Sequence, residues 1–163
     1  MRPSASIAWE TETDIAIVGS GGAGLTAALA AADSGASTLV LEKASVVGGT
    51  TAVSGGGLWI PNSHPVIDER GATPKDTLIS YIQRVAGDRV PEPMIERFVD
   101  AGPDVADTLE AATPLEFTFS GYPDYHPEWE GGHPDGRQIE PELYDGDRLG
   151  DDLSAVRENP HPP

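Results

Sequence analysis

Two short apolar runs, TDIAIV at 13–18 and STLVLE at 37–42, fall within one span of thirty residues. The first is apolar and β-branched and ends at a glycine, which predicts a buried strand, and the second predicts another. Between them GAGLTAALAAAD (22–33) is rich in the strongest helix formers, and the Ser34-Gly35 pair stops it. Strand, helix and strand at this spacing make a βαβ unit, whose two strands must run parallel with a right-handed crossover. The fold class that follows is α/β.

The turn after the first run reads Val18-Gly19-Ser20-Gly21-Gly22-Ala23-Gly24, a GxGxxG set at Gly19, Gly21 and Gly24. The first glycine permits a tight turn, the second lets a pyrophosphate approach the backbone, and the third lets the helix pack on the strand. The phosphates would lie on free N–H groups at the positive end of the helix. A purely structural glycine loop is the alternative. The context favours dinucleotide binding: the motif follows a predicted strand, opens a predicted helix, and has Glu42 eighteen residues beyond Gly24. That acid is placed for a ribose hydroxyl and disfavours a 2′-phosphate, so NAD and FAD remain.

Residues 48–61, GGTTAVSGGGLWIP, decide between these two. Five of the fourteen are glycine, a composition that suits neither a regular helix nor a core strand. The second half of a flavin dinucleotide needs backbone N–H groups and small hydroxyls, and Gly48, Gly49, Thr50, Thr51, Ser54, Gly55, Gly56 and Gly57 supply both. A flexible linker is the other reading, but linkers do not usually run straight into an apolar, aromatic LWIP. The expected cofactor is FAD, on an incomplete Rossmann-like FAD-binding fold. Gly19, Ser20, Gly21, Gly22, Ala23, Gly24, Glu42 and Lys43 complete the candidate set.

Further on, Thr73-Pro74-Lys75-Asp76 reads as a helix N-cap and first turn, and the helix runs through Leu78, Ile79, Ile82 and Val85 to Gly87. Residues 93–101 and 103–112 read as two short helices separated by Gly102, and 115–119 (LEFTF) as a strand. From Ser120 on, Pro, Gly and acids dominate, and only 5 of the 34 Leu, Ile, Val and Phe residues remain. Residues 12–119 are therefore expected to form the N-terminal part of an FAD-binding domain. Residues 120–163 are expected to be irregular and solvated, unable to fold alone.

The formal charge of −17, with Lys43 and Lys75 the only lysines against 27 acids, argues against nucleic acid and anionic membrane surfaces as partners. It fits a salt-adapted protein whose self-repulsion is screened by high ionic strength, with an ordinary acidic bacterial protein as the alternative. The absence of cysteine excludes disulfides and thiolate chemistry. No signal peptide or membrane-spanning run is legible, so a cytoplasmic location is expected. His126 and His133 match no metal spacing and read as loop histidines. Asp145, Asp147, Asp151 and Asp152 lack the glycine and glutamate of a calcium loop and read as a solvated face.

GSGGAGLTAALAA, VLEK, VGGTTAVSGGGLWIPN and GYPDYHPE, in that order, resemble the N-terminal part of 3-ketosteroid dehydrogenases. These are FAD enzymes of the fumarate reductase and succinate dehydrogenase flavoprotein superfamily. The resemblance covers about residues 12–150. It implies a longer whole, in which a separate domain carries the tyrosine base that takes the steroid C2 proton while hydride leaves C1 for the flavin. On this reading the chain is a fragment that does not dehydrogenate a steroid by itself, and a separately encoded remainder is an implied partner. Tyr125, in Pro123-Asp124-Tyr125-His126, matches the family tyrosine that assists the base; His126 stands where many members have a second tyrosine. Trp59 reads as a wall of the flavin or substrate site, with core packing as the alternative. The other functions weighed are a fumarate- or urocanate-type reductase and a non-catalytic remnant that binds FAD weakly.

Overall fold

In the computed structural model, which describes residues 10–159, β1 (Ile15–Val18), α1 (Gly22–Asp33) and β2 (Thr38–Leu41) form the expected βαβ unit. The strands pair in parallel from Ile15 opposite Thr38 to Val18 opposite Leu41. Asp14 sets this register: its carboxylate accepts bonds from the Ser37 N–H at 2.9 Å and the Ser37 hydroxyl at 2.7 Å. Helix α1 stops where the sequence says, with Ser34 as its C-cap and Gly35 at φ +82°.

The chain divides into two compact units. One holds the residues up to Val53 together with those from Leu149 onward, and the other spans Ser54–Arg148. In the first unit the late segment joins the early one through a parallel bridge between Val47 and Val156. The expectation of buried strands is not met, since Val18 is 86% exposed and Leu41 49%. The reason is architectural: β1 and β2 make a two-stranded sheet, whereas a parallel sheet is buried only when both its faces are covered.

The second unit contains β3 (Leu58–Trp59), α2 (His64–Arg70), α3 (Lys75–Ala86), α4 (Glu92–Ala112), β4 (Phe117–Phe119) and β5 (Gln138–Pro141). Its antiparallel sheet has the order β3-β5-β4, with Ile139 of β5 opposite both Leu58 and Phe119. The boundary expected at residue 119 therefore falls inside this unit. The segment after it is not simply irregular, because it contributes the central strand and the fully buried Ile139. One apolar cluster gathers Ile60, Val66, Ala106, Phe117 and Ile139, and a second gathers Leu78, Ile79, Ile95 and Val99.

Three helix readings change. Helix α2 was not legible in the sequence; it starts at His64 after Ser63, with proline in its first turn. Helix α3 begins one residue later than expected, with Pro74 rather than Thr73 at the cap. Thr73 is held instead by Asn62, whose side chain bonds its carbonyl at 2.9 Å and its N–H at 2.8 Å. The two short helices are one, α4, which runs 21 residues through Pro103. A proline inside a helix removes one backbone bond. Here Ile95 and Val99 before it are buried in one cluster and Ala106 after it in the other, so packing holds both halves in line.

Candidate functional site

The turn from β1 into α1 is held by its own side chains. The Gly19 N–H donates to the Leu41 carbonyl at 2.8 Å, which turns the chain off the strand. Gly24 lies so close over this turn that a Cβ there would be 2.0 Å from the Gly19 carbonyl oxygen. Ser20 is buried, and both its N–H (2.9 Å) and its hydroxyl (2.5 Å) donate to Glu42 Oε2. The same hydroxyl accepts the Gly48 N–H at 3.0 Å, and Thr51 Oγ1 accepts the Gly22 N–H at 2.9 Å. The tract that follows Glu42 in sequence is thereby drawn against the glycine turn.

Glu42 Oε1 accepts the Ala44 N–H at 2.9 Å. That bond, together with those from Ser20, holds the Glu42 carboxyl at about 2, so it is an anion throughout the neutral range. The Lys43 N–H adds to the same effect, so the chain itself supplies donors to most of the carboxylate's lone-pair sites.

These residues fit the pyrophosphate of a dinucleotide. Gly21 caps α1 without a side-chain bond, and no acid stands in the first turn to neutralise the helix dipole. A side chain at Gly19 would meet nothing within 4 Å, so that face of the turn is open. The structure brings Gly19, Ser20, Gly21, Gly22, Ala23, Gly24, Glu42, Gly48, Gly49 and Thr51 together in the first unit. Lys43 and Thr50 are exposed there. Ser54, Gly55, Gly56 and Gly57 belong to the second unit, where the Ser54 hydroxyl accepts the Gly56 N–H at 3.2 Å. One late residue, Arg157, also comes to this tract. Its N–H donates to the Val47 carbonyl at 2.9 Å, which sets it beside the same tract from more than a hundred residues away. No local motif marks it.

In the second unit the Pro123–His126 segment is anchored by Asp124. This buried carboxylate accepts from Arg137 Nη1 at 2.5 Å, Trp59 Nε1 at 2.7 Å and the His133 N–H at 3.0 Å. Arg137 is equally buried, and its Nη2 donates to the Gly131 carbonyl at 3.0 Å. The loop must close tightly, since a Cβ on Gly136 would lie within bonding distance of the Tyr122 carbonyl oxygen. Beside Asp124, Tyr125 is 91% exposed. Its ring stands at a cavity of about 170 Å³ whose other walls are Trp59, Tyr81, Ile82, Val85 and Phe98. Trp59 stacks on Phe98 with the ring planes 6° apart. The buried Tyr81 hydroxyl accepts the His126 N–H at 3.1 Å, and its phenol is pushed up, chiefly by burial. Trp59 packs against the second core cluster, as the core-packing alternative has it, and also lines this apolar cavity. Trp129 is clasped between the His126 ring, stacked at 3.6 Å, and the Arg84 guanidinium at 4.5 Å.

His126 and His133 belong to no three-residue group of metal-ligand type among the described residues. The group that does occur, His64, Asp107 and Glu110, lies elsewhere in the second unit, and His64 is already bonded to Glu110 at 2.6 Å.

The sequence profile of the FAD binding domain matches residues 14–161. The chain belongs to this family. FAD is its cofactor, in agreement with the cradle just described. Among relatives of this FAD-binding chain, the 3-oxosteroid 1-dehydrogenase of Mycolicibacterium smegmatis is 42% identical over 146 residues, 89% of this chain and 26% of that protein. The 4-oxocyclohexanecarboxylate 2-dehydrogenase of Sinomonas cyclohexanicum is 38% identical, over 92% of this chain and 26% of its own length. The solved 3-ketosteroid delta1-dehydrogenase of Sterolibacterium denitrificans, in complex with 1,4-androstadiene-3,17-dione, superposes with a TM-score of 0.84 at 34% identity, over 90% of this chain and 26% of that one. The chain thus spans about a quarter of the length of these proteins. Among the described residues, no helix is long and apolar enough to cross a membrane.

Proposed function

We propose that this chain is the FAD-binding portion of an oxidoreductase that desaturates an oxo-substituted carbocycle, a 3-ketosteroid by 1,2-dehydrogenation. The observation that carries the reading is Tyr125. The loop is tied down by its neighbour Asp124, while the Tyr125 phenol stands free at an apolar, aromatic-walled cavity. Bound FAD supplies the acceptor for the two electrons, which leave the substrate as a hydride. The chain's own contribution is of two kinds. The glycine turn, Glu42 and the tract from Gly48 to Thr51 hold the cofactor, and Tyr125 lends its hydroxyl to the base that removes the proton from the adjacent carbon. A phenol has a pKa of about 10, so a tyrosine base near neutrality needs a second hydroxyl to stabilise its deprotonated form. The relatives named for 3-oxosteroids and for 4-oxocyclohexanecarboxylate share an oxo-substituted ring, which supports the substrate class.

The test is a chimera in which this chain replaces the matching 26% of the Mycolicibacterium smegmatis enzyme. Tyr125→Phe should cut steroid-dependent dye reduction by about 10²–10⁴, the usual contribution of general-base assistance. Flavin content should hold steady, and Tyr122→Phe should be nearly silent. Full turnover in the Tyr125→Phe chimera would remove this residue from the mechanism.

A further inference from the structure

In a chain with 27 acids and 10 basic residues, a guanidinium should find a carboxylate easily. Two do among the described residues: Arg70 pairs with Asp135 at 2.8 Å and Arg137 with Asp124 at 2.5 Å. Arg157, like Arg84, Arg89, Arg97 and Arg148, is in no ion pair among the described residues, but it differs from those four in its burial. Its Nε is buried and has no hydrogen-bond partner. Leaving such a donor unsatisfied costs stability, more so when it carries charge, and a bound anion is one partner that would satisfy it. The backbone of Arg157 is no stray end. Its N–H is bonded to the Val47 carbonyl at 2.9 Å, the Val47 N–H is bonded to the Ala155 carbonyl at 2.8 Å, and Val47 and Val156 form a bridge.

That anchoring sets the residue against the cofactor tract. Arg157 Cβ lies 3.9 Å from where a Gly48 Cβ would be. Gly48 is bonded to Ser20 in the glycine turn, and a Cβ on the next residue, Gly49, would lie 3.1 Å from the Gly21 backbone. The cradle itself holds no basic side chain, since Lys43 is the only cation of the candidate set and it is exposed. A pyrophosphate there would meet the helix dipole and N–H groups alone, beside the Glu42 anion. We propose that Arg157 is a further ligand of the FAD pyrophosphate, supplying the positive charge that the glycine turn lacks and satisfying its unpartnered Nε. The proposal rests on the cofactor reading above, and guanidinium is the side chain best suited to phosphate oxygens.

Calorimetric titration of the full chain with FAD, ADP and riboflavin tests this, with wild type beside Arg157→Met and Arg157→Lys and thermal melts as a control for folding. Arg157→Met keeps the apolar stem and removes the charge. It should weaken FAD and ADP by about 10–150-fold, the range for a lost charge-assisted hydrogen bond. Riboflavin, which has no phosphate, should bind as before, and Arg157→Lys should recover part of the loss. Unchanged FAD affinity in Arg157→Met overturns the proposal, as does equal weakening of FAD and riboflavin. A wild-type chain that takes up neither FAD nor ADP overturns the cofactor reading itself, a different outcome from an indifferent variant. A second measurement needs no substitution: phenylglyoxal modification of Arg157 in the wild type, followed by mass spectrometry, should be slowed by ADP and not by riboflavin. Equal modification with and without ADP counts against the role.

Discussion

Glu42 shows how one side chain can hold two turns at once. Its carboxylate was expected to face a ribose, and it also holds the glycine turn closed through Ser20 and the following turn through Ala44. The stabilisation has a definite pH dependence. The folded carboxyl sits at about 2 against an ordinary 4.5, so the contribution is complete above pH 4.5 and is lost as pH falls towards 2. Glu42→Gln removes it. The gap in melting temperature between wild type and Glu42→Gln should therefore be full at pH 5 to 7 and should close in acid. A gap that stays constant down to pH 2 would show that the charge of this carboxylate is irrelevant to the turn. Glu42 stood out in the sequence because it ends a strand at a telling distance from a glycine motif. Arg157 could not stand out, because only the pairing of Val47 with Val156 brings it to the same place.

At the scale of elements, the loop from Ser120 to Arg137 departs most from its composition. Rich in Pro, Gly and acids, it looks solvated, yet it is organised around one buried ion pair and one indole. Burying two charges is costly, and the arrangement persists because every bond is made; removing one partner leaves the other uncompensated. Asp124→Ala should destabilise the second unit by about 3–5 kcal/mol, the typical penalty for breaking such a pair. Urea unfolding followed by tryptophan fluorescence measures this, and a loss below 1 kcal/mol would mean that the pair is not what organises the loop. Helix α4 teaches the complementary lesson. Gly102-Pro103 is a break signal by local rules, and burial of apolar residues on both sides of it overrides that signal.

The whole molecule carries a charge of −17, and among the described residues both apolar clusters lie in the second unit. Like charges spread over so short a chain repel one another in the folded state more than in the expanded one, and salt screens them: the Debye length falls from about 10 Å at 0.1 M to about 3 Å at 1 M. The melting temperature should therefore rise between 0.1 and 1 M NaCl. A melt that is indifferent to salt would mean that the acids are too dispersed for self-repulsion to matter, and would remove the ground for salt adaptation. Exposure of Val18 and Leu41 on the two-stranded sheet adds a second expectation at this scale, that the first unit is the less stable of the two. Hydrogen exchange resolved by residue compares them directly, and slower exchange in β1 and β2 than in α3 would contradict it.

The sequence by itself determined the local elements whose stabilisation is local: the strand, glycine turn, helix and strand of residues 13–42, and the acid at their end. Periodicity, helix propensity and the glycine stop at Gly35 act within a few residues, so they are legible there. Tertiary structure decided the rest. It made β5 the central strand of the second sheet, because its hydrogen-bond partners on β3 and β4 lie twenty to eighty residues away. It turned a polar loop into an ordered one anchored at Asp124, because the indole and guanidinium that satisfy this carboxylate come from Trp59 and Arg137. A buried polar group is stable only when its partners arrive, and no window of sequence shows which distant residues those will be.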